Sequence, residues 1–228
     1  VLRSYGITIF YTVTGTLMSL TVMSLYAYVL AQRSFRHHTF MTWILFFTML
    51  FGGGLVSTYL LNTKYLHLRN TYWALILPGA INVYNATIMR TFFEGIPMDM
   101  TEAAYVDGAN DVRILWQVIL PLSKPILFTL LLFYAVGHWN GFFSALLYLS
   151  DKSTYPIQMF VRSVVFSGDT LAMSMASYNS STEMGAELLS EEGAKYAIIL
   201  LSMVPILVVF PFVSRYFKSG VMIGAVKG

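Results

Sequence analysis

Charge is the scarcest property of this sequence, and cysteine is missing altogether. Of 228 residues, 11% are Asp, Glu, Lys or Arg while 57% are hydrophobic, and the mean hydropathy is +0.65. An ordinary soluble domain carries about 25% charged residues. Fourteen basic and eleven acidic side chains cannot coat a globule of 25.7 kDa, which excludes a soluble enzyme and a disordered chain. The formal charge of +3 comes without a dense basic stripe, so nucleic acid is not an expected partner. Without cysteine there is no disulfide or thiol chemistry, and the compartment stays open. No G-x-x-x-x-G-K-[ST] phosphate loop occurs, so the chain has no recognisable ATP site of its own. What remains is an all-α integral membrane protein.

The placement of the few charges defines the expected membrane spans. Runs free of Asp, Glu, Lys and Arg extend for 29 residues between Arg3 and Arg33 and 27 between Arg36 and Lys64. Further runs hold 20 residues between Arg69 and Arg90, 26 between Lys124 and Asp151, and 19 between Lys195 and Arg215. A helix crossing the hydrocarbon core needs about 20 apolar residues. Strict alternation, the mark of a membrane barrel, is absent. Five spans are therefore expected, near 5–31, 40–61, 71–93, 123–148 and 195–214. Because the sequence starts at Val1 rather than Met, a further N-terminal span in front of it is left open. Gly15 with Ser19 and Ala27 with Ala31 give small residues at four-residue spacing, which lets helices approach closely in lipid. Gly52, Gly53 and Gly54 interrupt the second span and allow a bend there.

Five crossings place the termini on opposite sides. The 32–39 loop carries Arg33 and Arg36 with no acid, and the C-terminal tail carries Arg215, Lys218 and Lys227 with no acid. Their shared face holds eight basic residues against six on the other, so the positive-inside rule makes it cytoplasmic, with the C-terminus. His37 and His38 in that loop lack further nearby ligands and are read as part of a solvated basic loop rather than a metal site.

The cytoplasmic connection 94–122 is acidic and punctuated, with five of the eleven acids between Glu94 and Asp111. Pro97 stops the preceding helix, and Asp99 with Glu102 has the spacing of an N-terminal capping box. A short helix over roughly 100–107 is expected, closed by Gly108 in the left-handed conformation. Asn110 or Asp111 then caps a second helix running to about Ile119, which Pro121 ends. Ala103 and Ala104 thin one side of the first helix. That suits docking into a groove on another protein, and equally an interfacial helix anchored by Trp116 and neighbouring leucines.

These residues resemble a known pattern. Glu102-Ala103-Ala104, three residues, Gly108, nine residues, Val118, one residue and Leu120-Pro121 are similar to the EAA loop of binding-protein-dependent ABC importer permeases. Val118 stands where the family has Ile. Asp107-Gly108-Ala109 matches the form common in the carbohydrate branch, and the ending Gly224-Ala225-Val226-Lys227-Gly228 is similar to the tail of maltose-type inner subunits. The resemblance implies the type I ABC importer transmembrane fold, with 94–122 as coupling loop and Glu102, Ala103, Ala104, Asp107, Gly108, Leu120 and Pro121 meeting a cytoplasmic ATPase subunit. It implies a second homologous permease, two ABC ATPase subunits that bind ATP and Mg, and an extracytoplasmic sugar-binding protein. The chain itself would bind no cofactor and would sit in the bacterial cytoplasmic membrane.

Charges inside the membrane usually mark ion or proton pathways. Arg90, near the cytoplasmic end of the third span, is the closest case, which argues against a secondary transporter. The spans instead hold uncharged polar and aromatic groups: Asn82, Tyr84 and Asn85, then Tyr134, His138, Trp139 and Asn140. These suit a polyhydroxylated solute, and equally bonds between helices. The 149–194 connection, with Tyr155-Pro156 and Glu187, Glu191 and Glu192, is expected as a long outer loop meeting the binding protein. A sugar importer of the oligosaccharide type is the leading expectation, with an acidic sugar polymer among the candidate substrates. The rivals are a polyol or glycerol-phosphate permease, a secondary transporter and a membrane-embedded enzyme. For the last, no H-E-x-x-H, intramembrane aspartate pair or Ser/His cluster is present.

Overall fold

A run of apolar residues without proline folds as one straight element: α1 spans Leu2–Ala31, thirty residues or about 45 Å at 1.5 Å per residue. The computed structural model in which it lies describes residues 2–32, 35–175, 193 and 196–211. The face of α1 turned inward carries Thr8, Thr12, Gly15, Thr16, Ser19 and Ser24, while Ile9, Phe10, Val13, Leu17 and Leu25 are exposed. This is the inverse of a soluble helix and is what a hydrocarbon solvent selects. Thr8 and Ser24 donate to the carbonyls of Ser4 and Leu20 at 2.8 and 2.7 Å, which satisfies those hydroxyls within the helix.

The other expected spans are broken, and each break has a cause. In place of one helix over 40–61, α2 (His38–Leu50) and α3 (Gly54–Leu60) are separated at Gly52 and Gly53. The second arm continues through a π turn (Leu61–Tyr65), and the two arms meet at a bend of 114°. The 71–93 segment is divided into α4 (Trp73–Ile76), a 3-10 turn over Leu77–Gly79 that contains Pro78, and α5 (Val83–Glu94). Asn82 starts α5 by accepting the Asn85 backbone N–H at 3.1 Å. An Asn at this position favours a helix start over a through-going helix.

Beyond α5 come α6 (Met98–Val106), α7 (Asp111–Ile114), a π turn (Leu115–Ile119) and α8 (Leu120–Leu122). The 123–148 segment is α9 (Lys124–Asn140) and α10 (Phe143–Tyr148), broken at Gly141. The 149–194 connection holds a nineteen-residue helix, α11 (Ile157–Met175), in place of an open loop. The last described helix is α12 (Tyr196–Pro211), within the expected 195–214 span. Among the described residues one helix, α1, is by itself long and apolar enough to cross a membrane. Arg33, the Glu187–Glu192 cluster, Lys195 and the basic C-terminal tail lie outside the described residues.

α1 is the central post, with α5 and α9 packed along it. Gly15 permits the closest approach. A methyl group there would stand 2.8 Å from His138 Nε2 on α9, so only a hydrogen fits. Among the described residues, two buried clusters fill the bundle. One, around Met23, Ala27, Leu30, Met89, Ile114 and Leu130, joins α1, α5, α7 and α9 at the end that carries α6. The other, around Tyr11, Leu75, Tyr148 and Met159, lies at the opposite end.

Candidate functional site

The punctuated segment folds as a helix, an elbow and a helix. The first differs from expectation in its start. Pro97, with φ −56° and ψ 133°, occupies the capping position and no side chain caps α6. Asp99 therefore falls inside the first turn, where its charge still favours the helix N-terminus. The expected Asp99–Glu102 capping box is not formed, because the helix starts two residues earlier, with Pro97 at the capping position.

The end of α6 is a Schellman motif. Gly108 takes φ 77°, its N–H donates to the Tyr105 carbonyl at 3.0 Å, and the Ala109 N–H donates to the Ala104 carbonyl at 3.0 Å. Ala104 and Ala109 both pack against the buried cluster, so the inner corner of the elbow is fastened to the bundle. Asn110 caps α7 by accepting the Arg113 N–H at 2.9 Å. The Tyr105 hydroxyl donates to Asp111 Oδ1, tying α6 to the first turn of α7. That bond to the carboxylate, with a smaller effect of burial, holds the Tyr105 phenol above its ordinary range.

On the outer side of the elbow, Glu102, Ala103, Asp107 and Gly108 are exposed. Glu102 has no side-chain partner among the described residues. Leu120 and Pro121 lie further on. Pro121 does not end the helix as expected. Its missing N–H and its ring are accommodated by the preceding π turn, whose closing bond runs from Leu120 N–H to the Leu115 carbonyl. The chain then turns by 84° at Ser123 into α9. At the same end, Arg90 pairs with Glu94 at 2.8 Å and reaches His38 Nε2 at 3.2 Å. His38 thus serves α5, and among the described residues no group of three metal-ligating side chains forms.

A second feature lies deeper. Between the α4–α5 break and the end of α9 is a partly open cavity of about 280 Å³. Asn82, Asn85 and Tyr134 of the sequence-selected residues line it, joined by Tyr11, His138 and Ser144. Asn85 and Tyr134 are buried, and the Tyr134 hydroxyl has no hydrogen-bond partner among the described residues. The other three selected residues do not line it. Tyr84 is 64% exposed, and Asn140 is exposed at the end of α9. The Trp139 indole N–H donates to the Ser202 carbonyl at 3.1 Å, which fastens α12 to α9.

The whole chain can now be set beside known proteins. The family model for binding-protein-dependent transport system inner membrane components matches residues 8–223. The chain belongs to this family of permeases. The permease is 44% identical over 227 residues to protein LplC of Bacillus subtilis strain 168, covering 100% of this chain and 75% of that one. It is 39% identical to the polygalacturonan/rhamnogalacturonan transport system permease YtcP of the same organism, over 99% of this chain and 77% of YtcP. A solved bacterial ABC transporter involved in the import of the acidic polysaccharide alginate contains a chain that superposes with TM-score 0.80 at 34% identity. The match covers 95% of the permease and 75% of that chain. The fold is accordingly the helical fold of ABC importer permeases, and the permease is a transport component rather than an enzyme.

Sequence reasoning did not select Tyr11 or Ser144 for the cavity, and it left His138 between a solute contact and a bond between helices. Tyr11 was hidden because it sits mid-helix among apolar residues. Its hydroxyl donates to the His138 carbonyl, across 127 residues of chain. The legible signal was the glycines: Gly79, Gly137 and Gly141 all border the cavity.

Proposed function

We propose that this permease is the membrane subunit of an ATP-driven importer that moves an oligosaccharide, of the acidic kind, across the bacterial cytoplasmic membrane. It works with a second homologous permease, two ATPase subunits that bind ATP and Mg, and an extracytoplasmic binding protein, and it binds no cofactor itself. Five spans cross the membrane, with the 94–122 segment and the C-terminus on the cytoplasmic side and the 149–194 connection facing the binding protein. The acidic sugar is suggested by the names of its relatives, for polygalacturonan, rhamnogalacturonan and alginate.

The observation that carries this reading is the two-sided elbow. Its outer side offers Glu102, Ala103, Asp107 and Gly108 to a partner, while Ala104, Ala109, Ile114 and Leu115 pack into the cluster shared with α1, α5 and α9. An ATPase cleft seated on α6 would take Glu102 as its polar anchor and the alanines as its close fit. Leu120 and Pro121 would carry its displacement round the 84° turn into α9. Solute then passes along α5 and α9, where Asn82, Asn85 and Tyr134 line the cavity and the same two helices carry Tyr84, Trp139 and Asn140.

The test is ATP hydrolysis by the assembled transporter, stimulated by loaded binding protein. Glu102→Ala and Gly108→Val are expected to abolish stimulation and uptake while assembly persists. A non-glycine residue at φ 77° costs about 1–2 kcal/mol, so the elbow tilts rather than unfolds. Full stimulation in both variants would overturn the coupling role.

A further inference from the structure

We propose that the cavity between the two helix breaks is a binding subsite for one sugar ring of the oligosaccharide, held by its hydroxyls and not by a carboxylate. This deepens the import reading and rests on it.

Three observations converge. Polar groups ring the cavity without being used up by the fold. The Tyr134 residue is 6% exposed, yet its hydroxyl has no partner among the described residues, a costly state unless a ligand or water completes it. The buried Asn85 amide lies beside the Tyr134 hydroxyl in the same lining. Asn82 spends its carbonyl oxygen on the α5 cap and leaves its amide nitrogen unpaired among them.

Second, the cavity lining contains no Asp, Glu, Lys or Arg. Amides, phenols, a serine hydroxyl and the His138 imidazole, in its neutral form, both donate and accept, which matches vicinal hydroxyls and places no fixed charge opposite a uronate. Third, the space is made by missing side chains. Gly79 and Gly137 border it, and a Cβ added to either would meet nothing within 4 Å. A pyranose also presents apolar C–H faces, and Leu75, Pro78 and Phe133 supply an apolar wall.

The experiment is saturation-transfer NMR on the assembled transporter in nanodiscs, without binding protein or nucleotide, using trigalacturonate as the probe. Wild type is expected to transfer saturation to ring protons. Tyr134→Phe and Asn85→Ala each remove one hydrogen bond and should weaken apparent affinity about three- to tenfold. Gly137→Leu, whose Cβ meets nothing within 4 Å, puts a branched side chain at the cavity border and should abolish transfer. Absence of transfer in wild type, or transfer that survives Gly137→Leu undiminished, overturns the subsite. The ATPase test on Glu102 and Gly108 reads a different part of the molecule. The subsite can therefore fail while the import reading stands, and loss of coupling can be seen while sugar still binds.

Discussion

At the elbow end of the bundle the centre of the buried cluster is Met23, Ala27, Leu30, Met89, Ile114 and Leu130, side chains that interact by shape, with Tyr28 and Tyr134 beside them and the Arg90–Glu94 and Tyr105–Asp111 contacts at the edge. At the opposite end the contacts are directional. Asn62 donates to the Tyr148 hydroxyl at 3.0 Å, Tyr59 stacks on Tyr148 at 5.9 Å, and Ile157 N–H donates to Thr8 Oγ1 at 2.8 Å. The Asn70 side chain accepts the Ser150 N–H at 2.6 Å. Apolar packing is dense and weakly directional, so it passes a displacement to every helix it touches. Hydrogen bonds hold one geometry. The difference teaches that a push on α6, as proposed, would reach α1, α5 and α9 together, while the far end would keep its register.

Breaking the apolar end should cost most. Met89 is fully buried, and Met89→Ala is expected to destabilise the permease by about 2–5 kcal/mol in thermal unfolding of the solubilised complex. A cost below about 1 kcal/mol would mean that this cluster does not bind the helices into one body. Between the two ends, Gly15→Ala presses a methyl on the His138 ring and should cost about 1–3 kcal/mol. Its companion readout is cross-linking between α1 and α9, which should fall. At the directional end, Tyr148→Phe removes the acceptor of Asn62 and should cost about 0.6–2 kcal/mol. Proteolysis of the 61–72 connection should rise with it. If Tyr148→Phe cost more than Met89→Ala, the contrast between the two ends would be reversed.

Much of the elbow was legible because its signals are local. Gly108 four residues past Ala104 and Asn110 before a helical run each act on their own backbone, and both do as their chemistry predicts. The capping box was misread because Asp99 and Glu102 have the right spacing, but Pro97 had already begun the helix. Charge-free runs correctly located apolar segments, but hydropathy counts composition and is blind to direction. It could not see that Pro78, Asn82 and Gly141 divide those segments. For the cavity, Asn82, Asn85 and Tyr134 were visible as polar residues in apolar runs. Tyr84 and Trp139 gave the same signal, and only the helix rotation sent one outward and the other to Ser202.

The scarcity of charge by itself determined that this chain belongs in a membrane, since too few ionic groups exist to hold a water-facing surface. The sequence also determined the elbow, because capping and a left-handed glycine depend on neighbours within a few residues. Only the tertiary structure decided that the elbow's inner corner is fastened to three helices and that two helix breaks face each other across an uncharged cavity. Those relations join residues 11, 85 and 134, whose proximity depends on how helices pack and turn, and no local pattern encodes that.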